Sequence, residues 1–293
     1  MTAPRQVLPG VTYLVTHRCT QRRYLLRPSK VTNEVFEYLL AVAADRFGVA
    51  VHAYCVMSNH YHLVVTDSRA RLPAFQQFLD ALVARAVNAL LGRWEHFWAP
   101  GSYSAVTLGT PEAIVDKAAY VLANPVAARL VRLGRKWPGL WSSPGAFGSS
   151  RMVQRPKHFF SENGSLPERA ELRLTVPPGF NDVSNYRRAL EAAVSHREAE
   201  ASRRGAGFLG VKRVLSQRPS SMPVTEDPRR ALRPRVAARD KWKRIELLGR
   251  LKGFLEDYRE ALEVWRERRG AAVFPAGTYL MRIAHGARCA GFG

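Results

Sequence analysis

His60 and His62 stand two apart in the run Ala53-Tyr54-Cys55-Val56-Met57-Ser58-Asn59-His60-Tyr61-His62-Leu63-Val64-Val65-Thr66-Asp67. The run is apolar and rich in β-branched and aromatic residues, which predicts a strand. Alternate residues of a strand share a side, so two imidazoles are expected to project from one face. Neutral imidazoles placed so can chelate a divalent metal. Alone, the pair fits the solvated side of a half-buried strand better, because short motifs match by chance. A second stretch changes that balance: Tyr120-Val121-Leu122-Ala123-Asn124-Pro125. Residues four apart share a helix face, so Tyr120 and Asn124 look the same way. Thr110 as N-cap, Pro111 in the first turn, and Glu112 and Asp116 near the positive end of the dipole predict the start of this helix. Pro125 predicts its end near Asn124. A phenol with a carboxamide one turn away, aimed at two imidazoles, makes a phosphoryl-transfer site in which a metal polarises a phosphate and the tyrosine attacks it.

This combination resembles the single-tyrosine HUH transposases, and within them the REP-associated tyrosine transposases. Thr16-His17-Arg18-Cys19, Met57-Ser58-Asn59-His60 and Trp137-Pro138 with Trp141-Ser142-Ser143 agree in order and spacing, so the resemblance covers roughly residues 8–148. Tyr61 stands where the motif usually has a plain hydrophobic residue, and other members place Gln where this chain has Asn124. The resemblance implies Mg²⁺ or Mn²⁺ held by His60, His62 and Asn124, with Tyr120 as nucleophile. It also implies a 5′-phosphotyrosine intermediate followed by strand transfer, single-stranded or hairpin DNA as substrate, and a homodimer. Two alternatives remain open. One is a domesticated relative that binds DNA hairpins without cutting; the other is an HUH nickase of the replication-initiator or relaxase kind.

Composition favours a polyanionic partner. The chain of 293 residues carries a formal net charge of +21, which suits nucleic acid. The excess is spread along it: residues 1–150 hold 16 Lys and Arg against 8 Asp and Glu, and residues 151–293 hold 29 against 16. Arg18, Arg22, Arg23, Arg27 and Lys30 follow the first predicted strand closely and are expected to contact DNA phosphates. Cys19, Cys55 and Cys289 are too few and too scattered for a disulfide framework or a Cys-rich zinc site. Neither a signal-peptide pattern nor a membrane-length apolar run is present. A cytoplasmic protein with no membrane partner is therefore expected.

The elements that must position the site follow from periodicity. Strands are expected over 11–20, 49–56, from His60 onward and over 104–109, with helices over 30–47 and 73–91. The order β-α-β-β-α-β predicts an α+β, ferredoxin-like catalytic domain over residues 1–148. Its antiparallel sheet should carry both of those helices on one face and the tyrosine helix on the other. The aromatic run Trp94-Glu95-His96-Phe97-Trp98 reads equally as a core cap or as a surface for stacking bases. Residues 149–180, with Arg151, Arg155, Lys157 and His158, read as a linker or extended arm. Residues 181–293 read as a mainly helical basic module for gripping DNA or for scaffolding, with helices over 181–202 and 240–269.

Overall fold

Capping side chains mark where the helices of the first half begin. In a computed structural model, which describes residues 4–101, 103–157, 159–161, 163–203, 205, 207–224 and 234–291, strand β1 (Val11–Arg18) leads through a short turn to helix α1 (Lys30–Phe47). Ser29 caps α1 by accepting from Thr32 N, and Gly48 closes it in the left-handed conformation, φ 67°. Strand β2 (Val49–Val56) and strand β3 (His60–Asp67) follow. Asp67 then caps α2 (Leu72–Leu90), its buried carboxylate accepting from the backbone N–H groups of Arg69, Arg71 and Leu72 at 3.2, 2.9 and 2.7 Å. After β4 (Ser104–Leu108), Thr110 caps α3 (Pro111–Ala127) by accepting from Ala113 N.

The sheet order is β2-β3-β1-β4, with every neighbouring pair among these four antiparallel. This is the expected mixed α+β pattern, with β1 central between β3 and β4. Alternation divides the side chains of β3 between its faces. Tyr61 turns toward Phe36 of α1, at 5.2 Å between ring centroids, and toward Gln76 and Asp80 of α2. His62 turns the other way, toward Tyr120 and Asn124 of α3. The sheet therefore lies between the α1–α2 layer and α3.

Two expectations are corrected here. Pro125 does not end its helix: α3 runs on to Ala127 with Pro125 inside it. Proline removes only its own N–H from the ladder. The next turn is secured by Ala128 N donating to Asn124 O at 2.9 Å and Leu130 N to Pro125 O at 2.9 Å. The indole of Trp141 also donates to Leu122 O within that last stretch, at 2.9 Å. Nor is the stretch after residue 148 a bare linker. Strands β5 (Ser150–Gln154) and β6 (Arg169–Arg173) pair antiparallel and lie over α1. His158 lies outside the described residues.

The chain then covers the sheet's open parts. Helix α4 (Val183–Arg203) packs on α3, burying Tyr186, Leu190 and Val194, and is followed by the short helix α5 (Val211–Ser216). One continuous apolar core runs from Val7 to Val214. The outer edge of β2 is met by residues 140–142 and 174–175, for example Val56 N to Leu140 O at 2.8 Å and Thr175 N to Val51 O at 2.9 Å. The outer edge of β4 is met by β7 (Val236–Ala237), which runs parallel to it. Helix α6 (Lys241–Glu267) buries only Phe254 and Ala261 fully. The C-terminal part of α6 rests with β8 (Val273–Phe274), α7 (Leu280–His285) and β9 (Arg288–Cys289) around a second, small core centred on Phe274. Trp242, Ile245 and Leu248, on the N-terminal half of the helix, are exposed. Among the described residues no helix is long and apolar enough to cross a membrane.

Candidate active site

The strand pairing aligns the candidate ligands. His60 lies opposite Arg18 and His62 opposite Thr16 in the β1–β3 ladder. The two imidazoles share the face under α3, with ring centroids 4.7 Å apart. On α3, Tyr120 and Asn124 sit one turn apart and look down on them. The Tyr120 ring meets His62 edge-on at 5.3 Å between centroids, within a single chain. Asn124 Nδ2 lies 3.2 Å from His62 Nε2. His62 and Asn124 are buried, whereas Tyr120 is 37% exposed. The structure thus brings His60, His62, Tyr120 and Asn124 to one place.

Hydrogen bonds indicate which ring nitrogen of each histidine carries the proton. Asn59 Oδ1 lies 2.7 Å from His60 Nδ1. An amide oxygen only accepts, so Nδ1 carries the proton and Nε2 keeps its lone pair. Thr16 Oγ1 lies 2.7 Å from His62 Nδ1. The amide nitrogen of Asn124 only donates, so His62 Nε2 accepts from it and Nδ1–H donates to Thr16. Burial, the neighbouring His60 and Arg18, in that order, hold His62 well below the usual histidine range. His62 is therefore neutral, the state a metal ligand needs.

A half-turn of the Asn124 carboxamide keeps its shape and presents Oδ1 where Nδ2 now points. Two imidazole nitrogens and an amide oxygen would then converge, a set that fits a divalent cation with positions left for oxygen ligands. Among the described residues no three His, Cys, Asp or Glu side chains gather. The third donor here is an amide.

The cationic residues divide. Arg18 ends β1 beside His60 and is exposed. The turn bearing Arg22 and Arg23 is tied to the same place by Asn59 Nδ2 donating to Arg22 O at 3.0 Å. Arg27 is engaged elsewhere, donating to Leu215 O at the end of α5. Lys30 sits at the start of α1, 3.9 Å from Glu34.

Sequence reasoning did not give Thr16 and Asn59 their orienting roles, although Thr16 falls on the same strand face as Arg18. It also missed the partners of Tyr61. That hydroxyl donates to Asp80 Oδ1 at 2.6 Å and lies 3.0 Å from the Gln76 carboxamide, and Asp80 Oδ2 accepts from His17 Nδ1 at 3.0 Å. The available signal was Gln76 and Asp80, four apart and polar on the apolar side of α2.

Residues 9–122 match the family described as "Transposase IS200 like", a span that includes His60, His62 and Tyr120. Over that stretch the chain is similar to the IS200-like transposases. Among solved structures, the chain is similar to a REP-associated tyrosine transposase bound to a REP hairpin. That pair shows 15% identity over 47% of this chain and 81% of the other, with a TM-score of 0.40. It is also similar to a putative transposase from Deinococcus radiodurans R1, at 19% identity over 36% of this chain and 85% of the other, TM-score 0.29. No curated protein matches the chain.

Proposed function

We propose that the protein is a metal-dependent single-strand DNA endonuclease and transposase with Tyr120 as its nucleophile. The observation that carries this reading is the meeting of the Tyr120 phenol with His60, His62 and Asn124 on one sheet face. His60, His62 and Asn124 would hold Mg²⁺ or Mn²⁺, which when bound draws negative charge off the scissile phosphate. Thr16 and Asn59 orient both imidazoles by holding their Nδ1 atoms. Arg18, with the Arg22–Arg23 turn and more distantly Arg27 and Lys30, holds the flanking backbone.

The Tyr120 oxygen attacks phosphorus and the bond from phosphorus to the 3′ oxygen breaks. The phenol proton passes to solvent, which reaches the exposed ring, and the departing 3′ oxygen takes up a proton from solvent. The products are a 5′-phosphotyrosine link and a free 3′-hydroxyl. One phosphodiester replaces another, so the step reverses readily, and a second 3′-hydroxyl can complete strand transfer. A duplex hides its bases and constrains its backbone, so the substrate is single-stranded DNA or a hairpin with an unpaired flank. A homodimer, which the resemblance implies, is proposed as well.

Tyr120→Phe tests the reading. Incubated with labelled hairpin DNA and Mn²⁺, the wild type should yield a denaturation-resistant adduct that EDTA prevents. The variant should bind the hairpin as tightly and form none. An adduct on the Phe variant would remove Tyr120 from its role. Binding by wild type with no adduct under any metal would leave a hairpin-binding protein.

A further inference from the structure

The aromatic run after α2 splits in two. Phe97 is buried, and Trp98 stacks on His17 at 4.6 Å with 12° between planes. Trp94, in contrast, is 89% exposed. Its loop is nonetheless firmly held. Arg93 N donates to Asn88 O at 2.8 Å, and the Asn88 side chain donates to Glu95 O at 2.9 Å, which staples Trp94 between them. Further on, Thr20 N donates to Phe97 O and Ala99 N to Arg18 O, both at 2.8 Å. Trp98 Nε1 donates to Asp80 O at 2.9 Å. Asp80 in turn holds His17 and Tyr61, and Tyr61 is the residue between His60 and His62. The loop is therefore bolted to the back of the histidine strand, at the end of the sheet where Arg18 and the Arg22–Arg23 turn lie.

An indole left in water on an ordered backbone is costly to hydrate and cheap to use, since little conformational freedom is lost when something covers it. We propose that Trp94 is a stacking platform for an unpaired nucleobase of the DNA strand that runs to the active site. Every base offers a π-face, so the platform would be sequence-tolerant. The surrounding charge selects a nucleic acid over an apolar protein surface. Arg93, which adjoins Trp94, is mostly covered and paired with Glu95 at 3.3 Å, so the positive charge comes from the segment carrying Arg18, Arg22 and Arg23, with which the loop shares hydrogen bonds. This inference rests on the proposed nuclease reading and specifies where the unpaired flank of the substrate sits.

Binding in EDTA tests it without cleavage. Three fluorescent DNAs share one hairpin stem: one blunt, one with an unpaired flank, one with the same flank made of abasic sites. Wild type should prefer the flanked hairpin over the other two. Trp94→Ala should lose ~10- to 100-fold in affinity for the flanked hairpin. The same variant should bind the blunt and abasic forms as wild type does, and Trp94→Phe should recover most of the loss. Equal binding of the flanked hairpin by wild type and Trp94→Ala would overturn the platform alone, leaving the Tyr120 chemistry standing. So would an equal loss on all three DNAs, which marks a general folding or charge effect. Failure of wild type to bind any of the DNAs would overturn the platform and the nuclease reading together.

Discussion

Thr16 decides which nitrogen of His62 faces Tyr120. Its hydroxyl takes the Nδ1 proton and leaves Nε2 pointing at α3. Thr16→Val keeps the shape and removes the acceptor. The ring would then be free to turn, and partners of this kind are worth roughly 10- to 100-fold in metal affinity or activity. The expected result is a fall of that order in the rate of adduct formation, with hairpin affinity in EDTA and melting temperature nearly unchanged. A rate equal to wild type would show that the tautomer is set by something else. At this scale the sequence was informative about which side chains the fold gathers, because chemistry restricts the types and spacing of a candidate site. It was silent about Thr16, Asn59 and Asp80, because a hydroxyl, an amide or a carboxylate becomes an orienting group only through what stands opposite it. Tyr61 shows the same limit. It looks like a tolerated variant in the motif, yet Gln76 and Asp80 satisfy its hydroxyl from a helix that the motif does not mention.

Strand β2 carries an irregularity with its own consequence. Its register against β3 slips between Val51 and Ala53, and His52 occupies the slip. The imidazole is buried between Thr66 Oγ1, 2.7 Å from Nε2, and Thr175 O, 2.9 Å from Nδ1. A carbonyl only accepts, so Nδ1 carries the proton and Nε2 accepts from Thr66, which in turn is bonded to Thr12 at 2.7 Å. Burial lowers the His52 pKa from 6.5 to about 4, the backbone bond to Thr175 partly opposing it. The unfolded chain therefore takes up a proton at His52 well before the folded one does. Stability should be full above pH 6.5 and decline as pH falls toward about 4. The loss over that window amounts to about 3 kcal/mol from this group. Urea midpoints measured across it for wild type and His52→Asn would check this, with a shallower slope in the variant. Equal slopes would assign the acid sensitivity to other groups.

The same scale shows where element boundaries were legible. Helix α1 falls where the apolar period placed it, because Ser29 and Gly48 mark its ends in local chemistry. Pro125 misled, because a rule about local sterics was outweighed by a buried helix end with other partners for its carbonyls. Strands β5 and β6 were hidden because only Val153, Ala170, Leu172 and their neighbour Leu174 point inward, among charged residues that read as loop. The exposed N-terminal part of α6 was invisible for the opposite reason. Its spacing reads as a buried stripe, and whether another element covers a stripe is a tertiary fact.

At the scale of the molecule, the residues after 148 do more than add charge. Tyr186, Leu190 and Val194 of α4 join the core that reaches α3, and residues 174–175 and 235–237 pair with the sheet. Each fully buried large apolar side chain contributes ~1.5–3 kcal/mol. A chain cut after residue 148 should therefore melt roughly 10 °C or more below the full protein, or precipitate. Differential scanning calorimetry of both chains would measure it, and coincident transitions would mean that the catalytic part stands alone.

Those same pairings restrict how two copies could meet. Among the described residues both rims of the sheet are partly covered: one side by residues 140–142 and 174–175, the other, along Thr107–Leu108, by Val236–Ala237, a strand of two residues. A symmetric pair built by joining sheets into one continuous ribbon would first have to peel away segments of its own chain. A pair that kept both sheets closed would have to meet side by side, through helices and loops.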